Sequence, residues 1–145
     1  MQVRHILKDK GGNVVGIAAT ASLAEAAAIL NDKRIGALVV QDGEGALGGI
    51  LSERDLVRAL AADGAAALTH KVDRYLTRDV VTCRLVDTVE DLMEMMTKGR
   101  FRHVPVLDDG GKLCGLISIG DVVKNRIAET VREAEELRVY ISATA

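Results

Sequence analysis

Short apolar runs alternate with amphipathic segments along this chain, and the same order of segments occurs twice. β-Branched runs bounded by Gly and Asp predict strands, whereas apolar residues three and four positions apart predict helices. In the first half the pattern predicts strands over 14–17, 35–40 and 47–51, helices over 22–30 and 52–62, and a turn over 45–48. In the second half it predicts strands opening at 80 and spanning 104–107 and 113–117, and helices beginning at 88 and 118. Before the first strand, residues 3–7 are predicted to be a short lead-in segment.

The two series are in register without a gap. An offset of 66 residues, the difference between Gly49 and Gly115, aligns residues 14–62 with 80–128. Identical residues occupy many of the matched positions, including the pairs Val40/Val106, Gly49/Gly115, Ser52/Ser118, Asp55/Asp121 and Val57/Val123. Such ungapped self-similarity indicates an internal duplication.

Composition narrows the classes of function. Hydrophobic residues make up 48% of the 145 and aromatic residues only 2%, so the core must consist of Ala, Val, Ile, Leu and Met. A net charge of −2 and the scarcity of aromatic side chains argue against binding to nucleic acid. No stretch approaches the roughly 18 apolar residues that a spanning helix needs, so we expect a cytoplasmic protein without membrane attachment. Cys83 and Cys114 are expected to be inert, reduced thiols.

One phrase within the repeat carries candidate chemistry. Gly49 to Asp55 and Gly115 to Asp121 each predict a strand that turns at a serine into a helix, with an aspartate in the first turn. A serine N-cap and the free N–H groups of a helix start attract anions, and a carboxylate one turn in can accept two hydrogen bonds from a ribose. The alternative is that serine and aspartate form only a capping pair that starts the helix.

The last helix is predicted to be longer than its counterpart. From Ser118 the apolar spacing continues through Ile127 and Leu137 towards Tyr140, with charged residues on the other faces. The pattern alone fits two interpretations: packing on the helix's own lobe, or formation of a dimer.

A duplicated strand–helix–strand–strand–helix unit that ends each time in Gly-h-h-Ser-x-x-Asp, where h is apolar, resembles the CBS-domain family of cystathionine β-synthase-type repeats. The chain is similar to small stand-alone bacterial proteins made of one CBS pair. The resemblance implies an α/β fold of the α+β-type CBS pair, with two β-α-β-β-α repeats related by a pseudo-twofold axis and an extended C-terminal helix. It implies repeats at 1–66 and 67–130 and a C-terminal helical extension at 131–145.

Two clefts between the repeats are implied by the same resemblance, and family members typically bind AMP, ADP, ATP, S-adenosylmethionine or NAD there. Carried onto this chain, the aspartates hold the ribose and the serines reach a phosphate, which gives Asp55 with Ser52 and Asp121 with Ser118. The adenine is expected among Ile17, Ala37 and Leu38 in one repeat and Cys83, Val104 and Pro105 in the other.

The repeats differ at the positions expected to contact phosphate. Gly36 and Ala37 align with Arg102 and His103, which are expected to bind phosphate, the histidine more strongly as the pH falls. Arg102 and His103 also fit a solvated strand edge. Arg54 aligns with Gly120, which makes the first helix start basic and the second open. The two clefts are therefore expected to be unequal, and the sequence leaves open whether one or both are occupied.

The function expected from the resemblance is a non-catalytic sensor that binds an adenine nucleotide reversibly and requires no cofactor. A disc-like homodimer and an unidentified protein partner are expected as well. The alternative is an interaction protein with vestigial clefts that acts through dimerisation. An enzyme is disfavoured because His5, His70 and His103 belong to no recognisable nucleophile–base arrangement, and the sequence has no Walker A motif.

Overall fold

The computed structural model describes residues 1–42 and 46–144. Residue 45, where the turn predicted over 45–48 begins, lies outside these ranges. The helices are α1 (Val3–Lys10), α2 (Leu23–Lys33), α3 (Glu53–Asp63), α4 (Val89–Gly99) and α5 (Ile119–Thr144). The strands are β1 (Gly16–Ala18), β2 (Ala37–Gln41), β3 (Leu47–Ser52), β4 (Cys83–Arg84), β5 (His103–Leu107) and β6 (Leu113–Ser118). Two short 3-10 helices, Gly64–Thr69 and Val72–Arg74, join the repeats.

Each repeat forms its own three-stranded sheet, in the order β1-β2-β3 and β4-β5-β6. The first strand of each sheet is parallel to the second, and the second is antiparallel to the third. The register repeats as well, since Val40 pairs with Gly49 and Val106 pairs with Gly115. This mixed α/β architecture confirms the predicted fold of two similar units and a C-terminal helix.

The helices begin where the sequence places capping residues. Ser22, Ser52 and Thr88 each accept a hydrogen bond from the backbone N–H three residues later. The acidic side chain of that later residue accepts a hydrogen bond from the backbone N–H of the cap residue. These capping boxes satisfy N–H groups that would otherwise lack a partner. The predicted starts of α2, α3 and α4 are confirmed.

Three predicted elements differ from the structure. The strand predicted over 14–17 spans Gly16–Ala18, so it begins two residues later. The strand predicted to open at Val80 begins only at Cys83, because Val80 and Val81 line a cavity instead of pairing with β5. The lead-in segment at 3–7 is a helix, α1, whose Val3, Ile6 and Leu7 are buried. An amphipathic helix of eight residues is short enough to depend on packing for its stability, which its local sequence does not reveal.

The repeats exchange their leading segments. Val3, Ile6 and Leu7 of α1 lie in the core of the second repeat, beside Val104 and Ile117. In the opposite direction, Val72 lies in the core of the first repeat, and Tyr75 and Leu76 pack against it. Backbone hydrogen bonds fix both exchanges, from Val3 N to Asp87 O at 2.8 Å and from Val72 N to Ala21 O at 2.8 Å. The predicted boundaries at 66/67 and 130/131 stay predictions about the sequence repeats, and the packing crosses the first of them.

Helix α5 is confirmed as an extended C-terminal helix and runs beyond Tyr140 to Thr144. Its first turns lie on the second repeat, where Val122 is buried and Arg126 pairs with Glu90 of α4 at 3.2 Å. From residue 131 to 144 every side chain is exposed. One face carries an apolar stripe, defined here as Val123, Ile127, Ala134, Leu137 and Ile141. Within residues 1–42 and 46–144, no helix combines the length and the apolar character needed to cross a membrane.

Candidate functional site

A cavity of about 800 Å³ lies between the two repeats, beside the first copy of the repeated phrase. The first repeat contributes the end of β3 and the first turns of α3. The second contributes the segment before β4 and the turn between α4 and β5. The lining residues are Gly36, Ile50, Ser52, Glu53, Arg54, Asp55, Val57, Arg58, Thr77, Asp79, Val80, Val81, Gly99, Arg100, Phe101, Arg102, His103 and Ile119.

The glycine that opens the repeated phrase allows a close approach of the exchanged segment. A Cβ on Gly49 would lie 2.4 Å from the Thr77 carbonyl oxygen, and a Cβ on Gly115 would lie 2.6 Å from Leu7. Thr77 also forms a two-way backbone bridge with Ile50, with N···O distances of 2.8 and 2.9 Å. Gly49 thus leaves room for the segment around Thr77, which forms one side of the cavity.

Asp55 is the buried carboxylate of the cavity, with 5% of its surface exposed. Its Oδ2 accepts hydrogen bonds from Ser52 N at 2.9 Å and from Ser52 Oγ at 3.1 Å. Its Oδ1 accepts one from Thr77 Oγ1 at 3.1 Å and lies 3.6 Å from Arg58 Nη1. The capping alternative is therefore correct as a description of the helix start. A carboxylate has about four acceptor positions, so Oδ1 retains capacity for a ligand hydroxyl.

Four arginines line the cavity: Arg54, Arg58, Arg100 and Arg102. Arg54 and Arg58 are one turn apart on α3, and Arg54 Nη1 donates across the cavity to the Arg100 carbonyl oxygen at 3.0 Å. Guanidinium groups bind phosphate in a bidentate manner. Of these arginines, the sequence predicted Arg54 and Arg102. Arg58 was detectable from its four-residue spacing to Arg54, whereas Arg100 depends on the left-handed turn that ends α4.

His103 is half-buried on the same wall, above Gly36. A Cβ on Gly36 would lie 3.1 Å from His103 Cε1, so the glycine makes room for the imidazole. Burial lowers the pKa of His103, and the Lys10 ammonium lowers it further, while the Glu53 carboxylate acts in the opposite direction. The imidazole is therefore neutral at neutral pH. The predicted strengthening of phosphate binding with falling pH is displaced to more acid conditions than an ordinary histidine would give.

The side chains predicted to surround adenine lie elsewhere. Leu38 and Val104 are 0% exposed and Ala37 is 3% exposed, all in β2 or β5. Ile17 packs against the first core, and Pro105 is buried within β5. Their side chains do not line the cavity, because β2 and β5 are central strands. Its apolar wall consists instead of Ile50, Val57, Val80, Val81, Phe101 and Ile119.

Cys83 lies in the second core and is 2% exposed. Burial, followed by the nearby Asp87 carboxylate, raises the pKa of its thiol to about 12. Cys83 and Cys114 are both free thiols. The protonated Cys83 thiol behaves as a small apolar side chain of the core.

The second copy of the phrase has the same capping geometry but a different neighbour. Asp121 Oδ2 accepts hydrogen bonds from Ser118 N at 2.8 Å and from Ser118 Oγ at 2.9 Å. Lys10, the last residue of α1, places its ammonium 2.5 Å from the same oxygen and 2.7 Å from the Leu116 carbonyl oxygen. Burial raises the pKa of the Asp121 carboxyl, but the hydrogen bonds from Lys10 and Ser118 together hold it below its usual range.

The structure thus brings together six of the predicted site residues on one cavity: Gly36, Ser52, Arg54, Asp55, Arg102 and His103. Ser118 and Asp121 do not line this cavity and lie with Lys10. Among the described residues, no three His, Cys, Asp or Glu side chains are grouped so as to hold a metal ion.

Known proteins share this architecture. The chain superimposes on the CBS-domain protein ATU1752 from Agrobacterium tumefaciens with a TM-score of 0.84 and 50% identity, over 86% of this chain and 92% of that one. It is 33% identical to the mitochondrial CBS domain-containing protein CBSX3 of Arabidopsis thaliana, over 96% of this chain and 71% of the relative. The chain spans smaller shares of other curated relatives, for example 26% of inosine-5'-monophosphate dehydrogenase from Nitrosopumilus maritimus.

Two similar structures contain adenosine compounds. CBSX2 in complex with AMP has a TM-score of 0.70 and 25% identity, over 81% of this chain and 90% of that one. The CBS domain pair of protein MJ0100, in complex with 5-methylthioadenosine and S-adenosyl-L-methionine, has a TM-score of 0.78 and 26% identity, over 89% and 98%.

The family described as CBS domain matches this chain twice, over residues 3–62 and 72–128. Each match contains its own copy of the repeated phrase, the first at Gly49 to Asp55 and the second at Gly115 to Asp121. The chain belongs to the CBS-domain family.

Proposed function

We propose that this chain is a non-catalytic regulatory module that binds an adenosine nucleotide in the cavity between its repeats. The observation that carries the proposal is the buried Asp55 carboxylate, which faces a cavity rimmed by arginines. The AMP complex of CBSX2 and the adenosine compounds bound to MJ0100 support the same ligand class.

In this proposal the ribose hydroxyls donate to Asp55 Oδ1, and the phosphates lie against Arg102, Arg54 and Arg100. The adenine then packs on the apolar wall that includes Val81 and Phe101. Four guanidinium groups outnumber the three carboxylates of Glu53, Asp55 and Asp79 in the lining. This balance favours AMP, ADP, ATP or NAD over a cationic sulfonium such as S-adenosylmethionine.

The affinity expected of such a site suits reversible sensing. AMP has about 23 non-hydrogen atoms, and at about −0.3 kcal/mol per atom its binding free energy is about −7 kcal/mol, a Kd on the order of 10 μM. Ligand binding shifts the equilibrium between two arrangements of the repeats by no more than the difference in its binding free energy for them. A protein partner then recognises the favoured arrangement.

Thermal unfolding against AMP, ADP, ATP, NAD and S-adenosylmethionine tests the proposal. A ligand at 100-fold over its Kd adds about 2.7 kcal/mol to the folded state, a shift in Tm of roughly 5–10 °C for a chain of this size. We expect the phosphorylated ligands to raise Tm and the Asp55→Asn variant to lose the shift.

Asp91→Asn is the matched control. Asp91 holds the same third position of a capping box in α4, away from the cavity lining. The Asp91→Asn substitution lowers helix stability in the same way as Asp55→Asn and should leave the ligand-dependent shift in Tm intact. Equal shifts in the native protein and Asp55→Asn would contradict the assignment of Asp55.

The second candidate function is that of an interaction protein that acts through homodimerisation. The apolar stripe of α5 favours it, since Ile127 and Leu137 are 60% and 59% exposed. A flat ligand panel combined with strong self-association would favour this function over the nucleotide module.

A further inference from the structure

The two copies of the repeated phrase receive the exchanged segments in different ways. In the first copy, Thr77 donates to two acceptors from separate groups: its amide donates to the Ile50 carbonyl oxygen at 2.8 Å, and its hydroxyl donates to Asp55 Oδ1 at 3.1 Å. Leu116 and Asp121 are the duplicated counterparts of Ile50 and Asp55. In the second copy, both acceptors are bound by one group, the Lys10 ammonium, at 2.7 and 2.5 Å.

This difference places a different hydrogen-bonding group beside each aspartate, a hydroxyl at Asp55 and an ammonium at Asp121. The Thr77 hydroxyl is neutral, can rotate and can accept a hydrogen bond from a ribose hydroxyl. The Lys10 ammonium has no acceptor and forms a charge-assisted bond that is stronger than one between neutral groups.

The ion pair is also partly shielded from water, because the side chains of Lys10 and Asp121 are 35% and 22% exposed. Oδ2 of Asp121 already accepts three bonds, from the Lys10 ammonium and from the backbone and hydroxyl of Ser118. A ribose hydroxyl that approached Asp121 Oδ2 would have to displace the Lys10 ammonium, break the ion pair and leave the ammonium without its partner.

We propose that Lys10 takes the place of a ligand at Asp121, so that each chain binds one nucleotide, in the Asp55 cavity. Lys10 is then the residue that determines the number of sites. This inference rests on the proposed function. The sequence left open whether one or both clefts are occupied, and the inference assigns the cleft of Ser118 and Asp121 as the empty one.

Isothermal titration calorimetry tests the inference on the full chain, with ADP, AMP, ATP and NAD in separate titrations. The Lys10→Met variant keeps the length of the side chain and removes its charge. Lys8→Met, an exposed lysine on the same helix, is the matched control. Circular dichroism melting verifies that each variant is folded before it is titrated.

We expect one site per chain in the native protein and in Lys8→Met, and two sites in Lys10→Met. In Lys10→Met the first site should keep its affinity within about twofold, and adding Asp121→Asn should remove the second site. Two sites in the native protein, or one site in folded Lys10→Met, would overturn the role of Lys10 while leaving the Asp55 site in place. Absence of binding in all the proteins would overturn the proposed function itself.

Discussion

At the scale of single residues, close contacts with the neighbouring segment restrict which residues the repeated phrase can contain. Gly49 has no side chain because the Thr77 carbonyl and a Leu76 methyl group lie 2.4 and 2.5 Å from where its Cβ would be. We predict that Gly49→Ala lowers the free energy of unfolding by roughly 1–3 kcal/mol, as overpacking of a core does. Chemical denaturation measures the loss.

Gly120→Ala is the control for this substitution. A Cβ on Gly120 would meet only Ser118 Oγ, at 3.6 Å, among atoms within 4 Å. Alanine also favours a helix over glycine by roughly 0.5–1 kcal/mol, so this variant should be as stable as the native protein or more stable. Equal stabilities of Gly49→Ala and Gly120→Ala would show that the close approach at Gly49 is not a constraint.

His103 gives the protein a pH dependence of definite sign. Its pKa is below 6.5 in the folded state, chiefly through burial, and about 6.5 when the chain is unfolded. The unfolded chain therefore binds the proton first as the pH falls, and the folded state loses stability from about pH 6.5 downward through the folded pKa.

We predict that His103→Gln removes part of this acid-dependent loss, as measured by denaturation at a series of pH values. NMR titration of the imidazole in the native protein should give a midpoint below 6.5. A midpoint above 6.5 would mean that the carboxylates of Glu53 and Asp121 outweigh burial and the Lys10 ammonium.

At this scale the sequence predicted residue types better than it predicted exposure. Ser52, Asp55, Arg102 and His103 do lie on one cavity, because a capped helix start and a basic strand start are local features. The side chains predicted to contact adenine do not line this cavity, since whether Leu38 or Phe101 faces a cavity depends on which strands are central in the sheet. Lys10 could not be recognised, because its partner Asp121 lies 111 residues away.

At the scale of elements, α5 differs from its counterpart α3 in what it leaves uncovered. Beyond residue 131 its apolar stripe has no neighbour in the described part of the chain. We predict that Ile127→Ser combined with Leu137→Ser weakens self-association by about tenfold or more, because apolar anchors carry much of an interface's free energy.

Sedimentation equilibrium measures this change, and Arg132→Ser, on the opposite side of the helix from the stripe, is the control. An unchanged association constant in the double variant would place the contact of the proposed homodimer on another surface.

The boundaries of the helices and strands show which of them the local sequence pattern can predict. Capping boxes fixed the starts of α2, α3 and α4, which the sequence predicted correctly. The late start of β4 depends on the cavity that Val80 and Val81 line, and the helical state of residues 3–10 depends on the core of the other repeat. Both are long-range effects that propensity does not report.

At the scale of the whole molecule, the exchange of leading segments makes the two repeats depend on each other. A fragment of residues 1–66 would expose Val3, Ile6 and Leu7 and would lack Val72, Tyr75 and Leu76 of its own core. We predict that this fragment is unfolded as a monomer, measured by circular dichroism at low concentration, and that the full chain unfolds in one transition. A fragment that folds as a monomer, or two separate transitions, would show that the repeats are independent domains.

The same exchange bears on how such a chain arises from a single repeat. A polypeptide with one copy would have its leading helix and its core on different molecules of a domain-swapped pair, since the helix packs on the other copy. Joining two copies end to end makes that association intramolecular, and the 3-10 segment Gly64–Thr69 lies in the tether that sets the effective concentration of the halves. Once joined, the two copies could diverge in sequence. The present chain accordingly has Lys10 against Asp121 and Thr77 against Asp55.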